Sequence, residues 1–138
     1  MSIEKNKQLM HRYFEELLNT GDSTAADRLL APSFICHLPG VGTLDREGYK
    51  QFILGFHAGF PGLHTRPQDM IAEGDQVAVR FTLSGTHQGS WQGVPATGKQ
   101  VNVLGICIYR IAHDQIVEKW LLMDGLGMLQ QLGEVPVR

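Results

Sequence analysis

The sequence predicts an α+β domain: a curved antiparallel sheet forming a cone or half-barrel around N-terminal helices. Three observations carry this. Apolar residues recur at three- and four-residue spacing in the first sixty positions. The spacing then changes to alternation after Phe60-Pro61-Gly62, and turn residues divide the second half into strand-length pieces. A chain of 138 residues is long enough to bury one sizeable core, so residues 1–138 are read as a single domain.

Taken in order, Met10, Tyr13, Phe14, Leu17 and Leu18 lie on one face of a first helix from Ile3 to Leu18, ended by Asn19-Thr20-Gly21-Asp22. A second helix from Ser23 to Leu30 buries Ala25, Leu29 and Leu30 and stops at Pro32. Ser33 to Leu38 is short and apolar enough to be a strand. Asp45 caps a third helix with Tyr49, Phe52, Ile53 and Phe56 on one side. Strands are then expected from Leu63 to Ala72 and from Gln76 to His87, joined at Glu73-Gly74-Asp75. In the second of these, Val77, Val79, Phe81 and Leu83 share a face, and His87 continues it by parity. Gln88 to Lys99 reads as a loop. Val101 to Ile111 is apolar on both sides and is expected to be a central strand covered on both faces. His113-Asp114 turns the chain into a last strand, Ile116 to Met123, and a closing helix runs from about Gly125 to Leu132. Three helices cannot cover both faces of a sheet of four to five strands. A curved sheet with the helices on its concave side satisfies them and leaves a pocket between the layers.

Composition narrows the function classes. With 12 basic against 14 acidic residues the net charge is −2, which offers nothing to a nucleic acid or an anionic membrane. No apolar run reaches the roughly 20 residues of a membrane span, and the first residues lack the apolar stretch of a signal peptide, so the cytoplasm is the expected compartment. Cys36 and Cys107 each lie in an apolar stretch and are read as two buried free thiols. No CxxC or HExxH spacing is present, so no metal site is expected.

Several runs together cover almost the whole chain and form a distinctive combination. They are His37 after the first strand, Phe60-Pro61-Gly62, and the hairpin Ala72-Glu73-Gly74-Asp75-Gln76-Val77-Ala78-Val79-Arg80. Gly85-Thr86-His87-Gln88-Gly89 and Gly93-Val94-Pro95-Ala96-Thr97-Gly98-Lys99 flank the loop. Ile116-Val117-Glu118-Lys119-Trp120, Asp124 and Met128-Leu129-Gln130-Gln131-Leu132-Gly133 close the chain. In combination these runs resemble the SnoaL-like polyketide cyclases of the nuclear-transport-factor-2-like superfamily, and the resemblance implies a cone-shaped fold, an enclosed pocket, a small-molecule substrate, and a homodimer or homotetramer. It also implies ring closure by intramolecular aldol addition without a cofactor. That reaction needs a base for a proton next to a carbonyl and a donor for the resulting enolate.

Asp124 is the best carboxylate for the base, since it ends the apolar run Trp120-Leu121-Leu122-Met123; it is equally placed to cap the closing helix. Glu118 reads as a solvated or ion-paired strand residue. His87 and His37 are the candidate polar partners, and Trp91, Trp120 and Phe60 the candidate apolar walls. Anchored on Gln131-Leu132-Gly133, the cyclases' acid/base aspartate falls at Leu121 and its histidine partner near Cys107. A leucine cannot move a proton, so these two are assigned to substrate binding. Two readings follow: a cofactor-independent cyclase, isomerase or hydrolase acting on a largely apolar carbonyl compound, or a non-catalytic binder of a hydrophobic metabolite. A purely structural dimerisation domain is a third.

Overall fold

The computed structural model describes residues 2–135. Ser2 caps α1 (Ile3–Tyr13), accepting the Lys5 N–H, and a π-helical turn, Phe14–Leu18, prolongs it. Together they cover the single helix expected from the spacing. Asp22 caps α2 (Ser23–Leu29). The chain then passes directly into β1 (Leu30–Leu38), three residues earlier than the sequence predicts. Pro32 was expected to separate the two elements. It sits instead in the stretch where pairing to the neighbouring strand shifts register, between Leu30 and Ile35, and there its missing N–H costs no ladder bond.

A short strand not foreseen in the sequence, β2 (Gly42–Asp45), folds back on β1. It hands over to α3 (Arg46–Gly59), whose N-terminus Asp45 caps by accepting the Gly48 N–H at 2.8 Å. The rest follows the predicted order: β3 (His64–Glu73), β4 (Gln76–Thr86), β5 (Gln100–Ala112), β6 (Gln115–Met123) and α4 (Gly125–Leu132). His113 and Asp114 both take positive φ, 52° and 59°, the conformation that matches the twist of a two-residue hairpin.

The six strands form one sheet in the order β2-β1-β6-β5-β4-β3. All neighbours are antiparallel except β1 and β6, which are parallel. The sheet is curved and does not close into a barrel. Its concave face carries Val77, Val79 and Phe81 of β4 and Val103, Cys107 and Tyr109 of β5 against the N-terminal helices. Phe14 and Phe81 meet with ring centroids 6.4 Å apart, and Phe52 packs edge-on against Phe56 at 5.2 Å. Gly105 lets β5 pass beneath Phe81: a Cβ there would stand 2.3 Å from the ring.

The convex face differs from expectation. β5 is covered on one side only, and Leu104, Ile106 and Leu122 are each more than half exposed. Strict alternation places every second apolar residue of β5 outside, where none of the described helices covers Leu104, Ile106 or Ile108. Among the described residues no helix is long and apolar enough to cross a membrane.

Candidate active site

Between the sheet and the helices lies a small inner chamber with about 50 Å3 of free space. Its walls are largely aromatic and aliphatic, among them Phe14, Phe56, Phe81 and Leu83. Phe52, Leu121 and Met123 are shared with a wider apolar groove of about 500 Å3 that runs along the β1–β2 hairpin. Among the described residues, neither space is lined by a carboxylate or an imidazole.

The charged group at the chamber is Lys119, only 4% exposed. Alternation along β6 turns Lys119 and Leu121 inward while Trp120 and Leu122 face away. Its Nζ donates to the Tyr49 hydroxyl at 2.7 Å and to the Tyr13 hydroxyl at 3.1 Å, and those two hydroxyls are hydrogen-bonded to each other. The ammonium also lies 5.0, 5.2 and 5.5 Å from the ring centroids of Tyr49, Tyr109 and Tyr13, within reach of cation–π attraction. Tyr109 stands directly across from Lys119 in the β5–β6 ladder. Its hydroxyl is fully buried beside Tyr13 and Cys107 and makes no well-formed hydrogen bond among the described residues.

Burial works against the Lys119 charge, while the negative charge that Tyr13, Tyr49, Cys107 and Cys36 acquire when they ionise at high pH works for it, and the outcome is a raised pKa. Burial likewise raises Tyr13, Tyr49 and Tyr109, and pushes the Cys36 thiol up to about 11. Near neutral pH the cluster is therefore one cation surrounded by neutral phenols and thiols. Both cysteines are free and buried.

The residues singled out in the sequence do not form one constellation. Asp124 is exposed and caps α4, accepting the Gly127 N–H at 2.8 Å; its apolar neighbours in sequence point elsewhere, so they do not desolvate it. His37 lies near the convex face, its Nε2 2.6 Å from Glu118 and its ring stacked on Trp120 at 5.3 Å. Arg110 donates to the same Glu118 carboxylate twice, at 3.2 Å each, and the His37 bond, then Arg110, hold it below the ordinary glutamate value. Trp120 was expected in or beneath the pocket, but alternation turns it outward.

His87 is buried, yet away from the chamber lining. Its Nδ1 accepts the Thr97 N–H at 3.2 Å and the ring stacks on Phe60 at 5.1 Å, which pins the 88–99 loop. Trp91 packs on Phe56 and Phe60, with centroids 5.4 and 5.8 Å away. Trp91 and Phe60 thus support the loop and line neither the chamber nor the groove. Cys107 and Leu121 do face inward, as a directly opposed pair, and Leu121 lines both spaces.

Sequence reasoning passed over Lys119 and the three tyrosines. A signal was available: Leu121 was assigned inward, and Lys119, two residues before it on the same strand, shares its face. Only Glu118 of that stretch is weighed in the sequence, as a solvated or ion-paired strand residue.

A curved sheet holding helices in its concavity around an apolar chamber defines the cone-shaped α+β class of small-molecule domains. Residues 8–132 match the model of the SnoaL-like polyketide cyclases, and the chain belongs to that family. Among solved structures it is similar to IdmH, a candidate polyketide cyclase from Streptomyces antibioticus, at 32% identity and a TM-score of 0.83, covering 93% of this chain and 98% of that one. TsrD from Streptomyces laurentii aligns at 30% identity and a TM-score of 0.87 over 98% and 99% of the two chains. A candidate SnoaL-like polyketide cyclase from Jannaschia sp. CCS1, 24% identical with a TM-score of 0.89, covers 99% of this chain and 97% of its own and shares the fold. No curated protein matches the chain significantly.

Proposed function

We propose that this protein is a cofactor-independent enzyme of the cyclase or isomerase kind, acting on a small, largely apolar carbonyl compound. The observation that carries the proposal is the buried Lys119 ammonium beside an otherwise apolar chamber. A fixed cation in a dry site is costly to maintain, and it stabilises negative charge developing on a carbonyl oxygen far better than water does. Ring closure or isomerisation through an enolate needs that help. The wider groove accommodates the apolar remainder of the molecule, while the inner chamber admits only the reacting end.

Asp124 has no part in this reading, and His37 and His87 serve the sheet surface and the loop. One observation favours a second reading: no carboxylate or imidazole lines the described cavity, and a non-catalytic binder of an apolar metabolite needs none. Incubation with a panel of polyketide-like β-ketoesters, monitored for cyclised or isomerised product, separates the two. Product formation that falls by about 10²-fold or more in Lys119→Met supports the enzyme. Tight binding of panel members without product, or turnover unchanged in that variant, ends this assignment.

A further inference from the structure

We propose that Lys119 and Tyr109 together form an oxyanion subsite that takes one negatively charged oxygen, an enolate or a phenolate, of an otherwise apolar ligand. This deepens the proposed function and rests on the same chamber. Two independent features converge there. An ammonium has three donors; Lys119 directs two at Tyr49 and Tyr13, which leaves a third. The Tyr109 hydroxyl, opposite in the ladder and fully buried, has Tyr13 and Cys107 as polar neighbours but makes no well-formed hydrogen bond among the described residues. A buried hydroxyl without a well-formed hydrogen bond is expensive, and a ligand oxygen held between the phenol and the ammonium removes that cost.

The titratable groups around Lys119 are Tyr13 on α1, Tyr49 on α3, Cys36 on β1, and Cys107 and Tyr109 on β5. All are neutral near pH 7, so they leave the cation uncompensated and ready for an anionic oxygen. The chamber's small free space, about 50 Å3, suits a single oxygen head better than a hydrated carboxylate. An acidic enol or phenol would therefore bind ionised, its proton passing to solvent on entry, and its apparent pKa would drop in the complex.

The test uses 4-nitrophenol, followed by the visible absorbance of its phenolate, against nitrobenzene, an uncharged analogue of similar shape. The phenolate is expected to bind the wild-type protein about tenfold or more tightly than nitrobenzene. Lys119→Met should abolish that preference while nitrobenzene binds as before, which also reports that the variant is folded. Tyr109→Phe, the milder change, should weaken phenolate binding by about three- to tenfold. Equal binding of the two probes to the wild type, a preference that survives Lys119→Met, or stronger binding of benzoate than of the phenolate each overturns the subsite. Because the readout is binding of a non-substrate, turnover of a β-ketoester with no phenolate preference would overturn the subsite and leave the enzymatic reading standing.

Discussion

Replacing Lys119 with methionine sets folding and function against each other. The buried ammonium makes two charge-assisted hydrogen bonds, to Tyr49 at 2.7 Å and Tyr13 at 3.1 Å, each of the order of 1.5–3 kcal/mol. The tyrosine faces add about 0.5–2 kcal/mol. Against this stands a desolvation penalty of several kcal/mol for a charge with no counter-ion. Methionine has a similar length and no polar atom to desolvate, and Tyr13 and Tyr49 still have each other as partners. The expected stability change is within about 2 kcal/mol of zero, by guanidinium unfolding near neutral pH. Phenolate preference and any turnover should nevertheless be lost. A loss above about 4 kcal/mol would make Lys119 a structural tether and refute the reasoning. The pH dependence gives a second check. A raised lysine contributes stability that is fully present below its unfolded value of about 10.4 and is lost only as pH rises through the folded one. The difference between wild type and variant should therefore be flat between about pH 6 and 9. A variant that gains relative stability as pH falls through that window would show that the wild-type lysine is neutral in the fold.

Three further outcomes are expected. Asp124→Asn should change stability by only a few tenths of a kcal/mol and leave turnover intact, because an amide caps a helix nearly as well as a carboxylate; a large loss of turnover with folding preserved would return Asp124 to the chemistry. Glu118→Gln should cost about 1 kcal/mol or less at neutral pH, since the carboxylate lies near the surface between His37 and Arg110. With its pKa lowered in the fold, that contribution is present above the unfolded value and lost as pH falls through the folded one, so urea titrations of the two proteins should converge in acid and the idea fails if they diverge. Light scattering is expected to report a dimer or higher oligomer through the exposed Leu104, Ile106 and Leu122, and Ile106→Glu should yield a monomer; a monomeric wild type at micromolar concentration would count against this.

The order of helices and strands was legible because it depends on local periodicity. The three-and-four spacing of Met10, Tyr13, Phe14 and Leu17 and the alternation of Val77, Val79, Phe81 and Leu83 can come only from a helix and a strand with one buried face. The cap at Asp45 and the turn at His113-Asp114 are likewise local, since each satisfies backbone groups within a few residues. Cys107 and Leu121 are assigned to substrate binding through the family resemblance, not through local periodicity. Which residues of the inward face meet was not legible. Lys119 gathers Tyr13, Tyr49 and Tyr109 from positions as far as 106 residues away, and only the sheet order and the packing of α1 and α3 bring them together. Asp124 shows the converse, because apolar neighbours in sequence do not desolvate a carboxylate once the strand has ended and the chain turns into solvent. Local sequence fixes which backbone conformation is cheapest, whereas burial, and with it the charge state of each group, depends on what the rest of the chain places around it.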